Sequence, residues 1–158
     1  MMMRKTMKFF HTLASAGLIG ALSGYMIVLL YAPQTTAADY ADVRTTIAAL
    51  SNYLLLPSLA VALVTGLLAM AVHTPFQEQR WVWVKALLGL SMFEATLAII
   101  QSKANYAASV SAKIASGEAG PDALQSALST EWSSLAAIMA LSIANVVLGV
   151  WRPRLAKR

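Results

Sequence analysis

The sequence contains no cysteine, which excludes disulfide bonds, thiolate metal sites and cysteine redox chemistry. Charged residues are also scarce, at 12% of the chain, where soluble domains carry roughly 25%. A phosphate-binding loop, a Ser-His-Asp set and a metalloprotease HExxH motif are all missing from the sequence. What remains is a chain that is 58% hydrophobic, and this composition indicates a membrane protein.

Four apolar runs dominate the chain, and each is close to the ~20 residues with which a helix crosses a bilayer. They cover about 9–30, 54–72, 81–100 and 135–151. Little sequence remains for a second folding unit, so we predict a single domain over 1–158. The fold class is all-α, a four-helix transmembrane bundle.

The helices are predicted to continue beyond the membrane on the periplasmic side. Asp39 and Asp42 are typical of the first turn of a helix leading into span two. The third helix can run on to about Ala115, and Pro121 is typical of a first turn leading into span four. We therefore expect helices three and four to form an extramembrane hairpin over about 102–131.

The positions of the basic residues predict the orientation. Nine of the twelve lysines and arginines lie at the two termini or around the turn between spans two and three. By the positive-inside rule, both termini face the cytoplasm of a bacterial inner membrane. Next to apolar spans, these cations suggest contacts with anionic lipid headgroups rather than with nucleic acid. Ala14-Ser15-Ala16 imitates a signal cleavage site, but the apolar run is too long, so we interpret span one as an uncleaved anchor.

Small residues recur at four-residue intervals in spans one and two and predict close helix packing. An intramolecular seam is favoured over a dimer interface. The two rows are Ala16, Gly20 and Gly24, and Ser58, Ala62 and Gly66.

Glu94 is the most unusual polar residue, because it lies only ~6 Å from the centre of span three at 1.5 Å per residue. An ionisable group at this depth is costly, so we expect it to face the bundle interior. It is then either a proton relay or a group that supports a bound cofactor. The alternative is a protonated carboxyl hydrogen-bonded to a neighbouring helix. Possible partners at comparable depths are Ser58, Thr65, Ser142 and Asn145.

Two histidines and one lysine lie near the predicted cytoplasmic ends of the spans. The neutral imidazole of His11 can ligate haem iron, copper or zinc, although a shallow histidine more often snorkels or caps a helix. His73 ends span two on the same side, in an ordinary loop sequence. Lys85 can snorkel to the headgroups beside Trp81 and Trp83. Two histidines without cysteine are a weak pattern for a metal site, and none is predicted.

Three segments carry a family resemblance. They are Lys8-Phe9-Phe10-His11, then Leu56-Pro57-Ser58 to Thr65-Gly66-Leu67-Leu68, then Arg80-Trp81-Val82-Trp83-Val84-Lys85-Ala86-Leu87-Leu88. The chain resembles a superfamily of small bacterial membrane proteins. It includes an uncharacterised predicted integral membrane family, the copper resistance D family and the J-type membrane protoporphyrinogen oxidases.

The resemblance implies site residues only in part. In the oxidase branch an early histidine associated with haem matches His11, and a characteristic lysine after tryptophan matches Lys85. That branch has a further histidine in the third helix, where this chain has Met92-Phe93-Glu94. The copper branch would bring more histidine and methionine near the periplasmic face than this chain has. The uncharacterised branch fits best, and it implies no activity.

These observations predict a small inner-membrane accessory protein that binds b-type haem through His11. One alternative is a membrane porphyrin-oxidising enzyme of the J type that uses His11, Lys85 and Glu94 with a haem or quinone. Another is a proton-coupled transporter centred on Glu94. Whether the chain is an enzyme stays open. The predicted partners are the lipid bilayer and either another membrane protein or further copies of the chain.

The orientation can be tested with reporter fusions. A fusion after Arg158 should behave as cytoplasmic and a fusion near Gly117 as periplasmic, because the basic residues flank the opposite face of the bundle. Paired phosphatase and fluorescent-protein reporters make the measurement. A cytoplasmic Gly117 would overturn the predicted orientation.

Overall fold

The computed structural model describes residues 2–72, 78–124 and 128–151, and these ranges are helical with no strand. The long helices are α1 (Met2–Tyr31), α2 (Ala37–Val72), α3 (Arg80–Ala115) and α4 (Glu131–Trp151). All four are long and apolar enough to cross a membrane, which confirms the predicted all-α fold with four spans. His73 and the four basic residues after Trp151 lie outside the described residues.

Helix α2 starts well before the apolar run because a capping box fixes its first turn. The Thr36 hydroxyl accepts a hydrogen bond from the Asp39 backbone N–H at 3.0 Å, and the Asp39 carboxylate accepts one from the Thr36 N–H at 3.1 Å. Both satisfy backbone donors that the helix leaves unpaired at its start. The helix start predicted from Asp39 is therefore confirmed.

The extension beyond the apolar runs is built mainly by α2 and α3. Their outer segments, Ala37–Leu50 and Ser102–Ala115, pack against each other around Ala107 and Val110. Pro121 does not open α4: Pro121–Leu124 is a separate 3₁₀ turn, and α4 begins at Glu131. Leu124 is buried against this pair of helices, so the turn covers the extension instead of lengthening α4.

Both long central helices contain a π-helical segment at the base of this extension. The segments are Ser51–Leu55 in α2 and Thr96–Gln101 in α3. Amide side chains join the helices at this level. Gln101 Nε2 donates to Asn52 Oδ1 at 2.8 Å, and Asn52 Nδ2 donates to Asn105 Oδ1 at 2.8 Å. π-helical turns are uncommon in proteins and often lie at functional positions. Here one such turn lies in each of the two helices, at the base of the extension.

All four helices contribute to one central core, and large apolar side chains also cover the outside. Phe9, Leu30, Val64, Leu87 and Val150 are among many exposed large hydrophobic residues. This distribution suits a bundle surrounded by hydrocarbon, in which packing instead of water exclusion holds the helices together. Central core residues include Leu18, Leu22 and Tyr25 of α1, Leu55 and Leu59 of α2, Met92 and Ile100 of α3, and Leu135 and Ile138 of α4.

The close approach of α1 to α2 uses a different glycine from the predicted one. A Cβ added at Gly17 would lie 2.7 Å from Ser58 Oγ, whereas one at Gly20 would meet nothing within 4 Å. Ala16 is exposed as well. The predicted seam on α1 was therefore wrong by a quarter-turn at these positions, because α2 packs on the neighbouring stripe of the helix. Ala62 of the second row is buried as expected.

A buried ion pair links three helices where α2 leaves the apolar run. Arg44, only 4% exposed, contacts the Glu131 carboxylate of α4 at 2.7 Å. The Tyr25 hydroxyl of α1 donates to the same carboxylate at 2.8 Å. Arg44 Nε donates to the Tyr40 hydroxyl at 3.0 Å, so most of the polar atoms of the pair are satisfied.

This ion pair predicts a large effect from a small substitution. Glu131→Gln should lower the free energy of unfolding by about 3 kcal/mol or more, because it leaves the Arg44 guanidinium buried without a counter-charge. Unfolding in mild detergent measures the change. Glu118→Gln removes the same charge from an exposed residue and should change stability by less than about 0.5 kcal/mol. Equal effects of the two substitutions would contradict a structural role for the pair.

Candidate functional site

A cavity of about 410 Å³ lies between the four helices, in the half of the bundle that contains the start of α3. This volume falls within the range of small-molecule sites in proteins. Most of its wall is apolar, with methionine side chains from Met70 and Met92. The polar or charged residues on the wall are Lys8, His11, Ser15, Thr65, Lys85, Ser142 and Asn145.

The His11 imidazole is oriented by the backbone of α2. Its Nδ1 lies 2.8 Å from the Ala62 carbonyl oxygen and 3.2 Å from Thr65 Oγ1. A carbonyl oxygen only accepts, and the Thr65 hydroxyl donates its proton to the Val61 carbonyl at 2.6 Å. Nδ1 must therefore carry the proton. In the neutral ring, Nε2 is then left with its lone pair at the cavity wall.

Gly66 allows His11 to sit this close to α2. A Cβ at Gly66 would lie 3.3 Å from His11 Cε1, tighter than ordinary van der Waals contact. The predicted row of small residues on α2 thus has a local use, because it leaves room for the imidazole ring. Ser15, one turn along α1, donates to the His11 carbonyl at 2.8 Å and also borders the cavity.

Lys85 lies on α3, across the cavity from α2, and reaches towards α4. A Cβ added at Gly149 would lie 2.5 Å from Lys85 Nζ, so glycine at this position leaves space for the ammonium group. Lys85 is half-buried and lines the same cavity as His11. The structure therefore brings two of the sequence-predicted site residues to one cavity.

Asn145 contributes a buried acceptor that has no partner. Its Oδ1 is buried and makes no hydrogen bond within the part of the chain that the structure describes. The neighbouring Ser142 is satisfied, since its hydroxyl donates to the Ile138 carbonyl at 2.7 Å. A buried polar atom without a partner is uncommon in folded proteins and calls for a water or ligand donor. In the sequence, the signal for this group was the polar side chain of Asn145 within the apolar run of α4.

Glu94 does not belong to this site. Its side chain is exposed on the outside of α3, and it is not part of the cavity wall. Met92 and Thr96, two positions away on either side, are 1% and 0% exposed. Two residues correspond to about 200° around a helix, so burial of these neighbours turns Glu94 outwards. The expectation that Glu94 faces the bundle interior was therefore wrong, and neither Ser142 nor Asn145 pairs with it.

The cavity is an amphiphilic site and lacks the composition of a metal centre. The described residues contain no group of three His, Cys, Asp or Glu side chains that could hold a metal ion. Among the residues that the structure describes, the charged ones on the wall are Lys8 and Lys85. The arrangement suits a largely apolar ligand with an anionic substituent and an atom that the His11 Nε2 can bind.

The tautomer of His11 can be measured directly. Nitrogen-15 NMR of protein labelled at histidine, in lipid bilayers, should show a protonated Nδ1 and an unprotonated Nε2, because only Nδ1 faces the Ala62 carbonyl. His73→Gln removes the other of the two histidines in the sequence and thereby assigns the signals. A protonated Nε2 beside an unprotonated Nδ1 would contradict the arrangement.

Comparison with known proteins gives a family and no activity. No curated protein and no solved structure matches the chain. The resemblance to an uncharacterised family of predicted membrane proteins is confirmed, while the resemblance to the copper resistance and oxidase families stays a prediction. A family model for predicted integral membrane proteins matches residues 5–153, and the chain thus belongs to the DUF2269 family.

Proposed function

We propose that this chain is a small inner-membrane accessory protein that binds b-type haem in the cavity, where His11 would hold the iron. The observation that carries the proposal is the hydrogen bond from His11 Nδ1 to the Ala62 carbonyl at 2.8 Å. Histidines that bind metals usually donate their other ring N–H to a carbonyl or carboxylate, which fixes the ring and makes the ligating nitrogen more basic. His11 has this arrangement at the wall of a cavity.

The rest of the wall fits the chemistry of the group. Apolar side chains such as Leu59 and Val82 suit the macrocycle. Lys85 can pair with a propionate, since it lines the cavity and its ammonium lies beside Gly149. Asn145 Oδ1 can accept a hydrogen bond from a protonated propionate or from a water beside it. When bound, haem would supply one-electron redox chemistry, and the chain's residues would hold it and exclude water.

The cavity also favours one of the two alternative functions over the other. His11 and Lys85, the residues that match the oxidase branch, line the same cavity, and this juxtaposition supports a porphyrin-oxidising enzyme as a second candidate. A proton-coupled transporter centred on Glu94 gains no such support, because Glu94 lies outside the cavity. Turnover of protoporphyrinogen by the purified protein would distinguish the enzyme from the accessory protein.

Absorption spectroscopy tests the proposal. Protein purified in mild detergent after growth with a haem precursor should show a Soret band, and His11→Ala should abolish it or shift it strongly while the protein stays in the membrane. Loss of the Nε2 ligand is the physical reason. Asp122→Asn, an exposed residue of the extension, is the control and should leave the band unchanged. A wild-type protein without haem, or an unchanged band in His11→Ala, would contradict the proposal.

A further inference from the structure

Glu94 lies in the middle of an exposed stripe of α3. Its neighbours one turn away on the same side are exposed as well, including Leu90 at 53% and Leu97 at 44%. Ser91 and Ala98 are the small residues of the stripe. We call this stripe the Glu94 face, and it consists of Leu87, Leu90, Ser91, Glu94, Leu97 and Ala98.

In a single copy, the carboxyl of Glu94 would lie against lipid acyl chains. It lies within the apolar run of α3, flanked by exposed leucines, and no hydrogen bond or ion pair satisfies it among the described residues. Ionisable residues inside membranes almost always face protein or a water-filled cavity. An outward Glu94 therefore indicates that another protein surface covers this face.

We propose that the covering surface is a second copy of this chain, related by a two-fold axis that passes beside Glu94. In such an interface a residue near the axis meets its own counterpart. A protonated carboxyl both donates and accepts hydrogen bonds, so two Glu94 carboxyls satisfy each other when at least one is protonated. A single acidic group is thus complementary to itself and needs no basic residue on a partner.

The shape of the Glu94 face also suits a close helix pair. Ser91 precedes Glu94 by three residues and Ala98 follows it by four, so small side chains flank the carboxyl on both sides along the helix. Small residues let two membrane helices approach closely. The exposed leucines can then pack around the polar centre. Exposed small residues also recur on α1, at Ala16 and Gly20, and on α4, at Ala136, Ala140 and Ala144. Neither of these two rows has an ionisable group between its members that requires a partner.

The dimer does not depend on haem binding. Met92, which lines the cavity, and Glu94 point to opposite sides of α3, so the second copy would cover the outer surface and leave the cavity wall intact. A failure of the haem proposal therefore leaves this inference unaffected, and the reverse is also true.

Cysteine crosslinking in native membranes tests the interface, because the natural chain has no cysteine. Ser91→Cys and Ala98→Cys should each give disulfide-linked dimers after mild oxidation. Ala16→Cys is the matched control on α1. Gly17 of α1 packs against Ser58 of α2, and Gly89 of α3 packs against Leu63 of α2. Because α2 and α3 run in opposite directions, Glu94, five residues after Gly89, lies level with Ser58. Ala16, next to Gly17, is therefore at nearly the same depth as Glu94. Ala16→Cys should give little dimer.

The role of the carboxyl is tested in the Ala98→Cys background. Glu94→Gln should retain the dimer, since a carboxamide also donates and accepts, whereas Glu94→Leu should lower the crosslinked fraction several-fold. Equal crosslinking through Ala16→Cys, or dimers unaffected by Glu94→Leu, would overturn the proposal. Membrane-inserted Ser91→Cys and Ala98→Cys variants that both stay monomeric, or that purify with a different protein on this face, would overturn it as well.

Discussion

Hydrocarbon cannot solvate a polar side chain, so each polar group inside this bundle needs a partner on its own helix, on another helix or on a ligand. The ion pair of Arg44 with Glu131 meets this requirement most completely, because the carboxylate also accepts the Tyr25 hydroxyl. Three helices are thereby fixed relative to one another at one end of the apolar core. The amide contacts of Asn52 join α2 to α3 near the same level. The other end of the bundle contains the cavity.

The groups that we connect with function lack a full set of partners among the described residues, as do the buried hydroxyls of Ser51 and Thr96 in the two π-helical segments. At the cavity, Asn145 Oδ1 is buried and has no partner among the residues that the structure describes. The hydrogen bond of Nδ1 leaves the other nitrogen of His11 with a lone pair. Both are accounted for by a ligand between the helices. Glu94 has no partner in the described part of the chain and lies on the outside of the bundle, where a ligand in the cavity cannot reach it. The proposed second copy of the chain would supply its partner. One physical requirement thus leads to two separate inferences about two separate surfaces.

The sequence predicted the spans well because their signal is local. A run of about twenty apolar residues identifies a helix that crosses the membrane, and Asp39 with Asp42 indicated the first turn of α2. The side of a helix that faces the core depends on the neighbouring helices, and no local sequence pattern sets it. Depth alone suggested that Glu94 faces inwards, but the burial of Met92 and Thr96 sets the orientation of α3. The pairing of Arg44 with Glu131 joins residues 87 positions apart and left no pattern in the sequence. His11 and Lys85 were singled out separately, and only the fold shows that they share a cavity.

The proposed function requires that the cavity is a binding site and not a packing defect. An experimental structure of the protein purified from its native membrane in lipid nanodiscs tests this most directly. We predict density for a bound molecule between the helices, with an atom within bonding or hydrogen-bonding distance of His11 Nε2, while Nδ1 stays on the Ala62 carbonyl. A cavity closed by side chains, or one filled only with lipid tails and with His11 turned away from α2, would contradict the account.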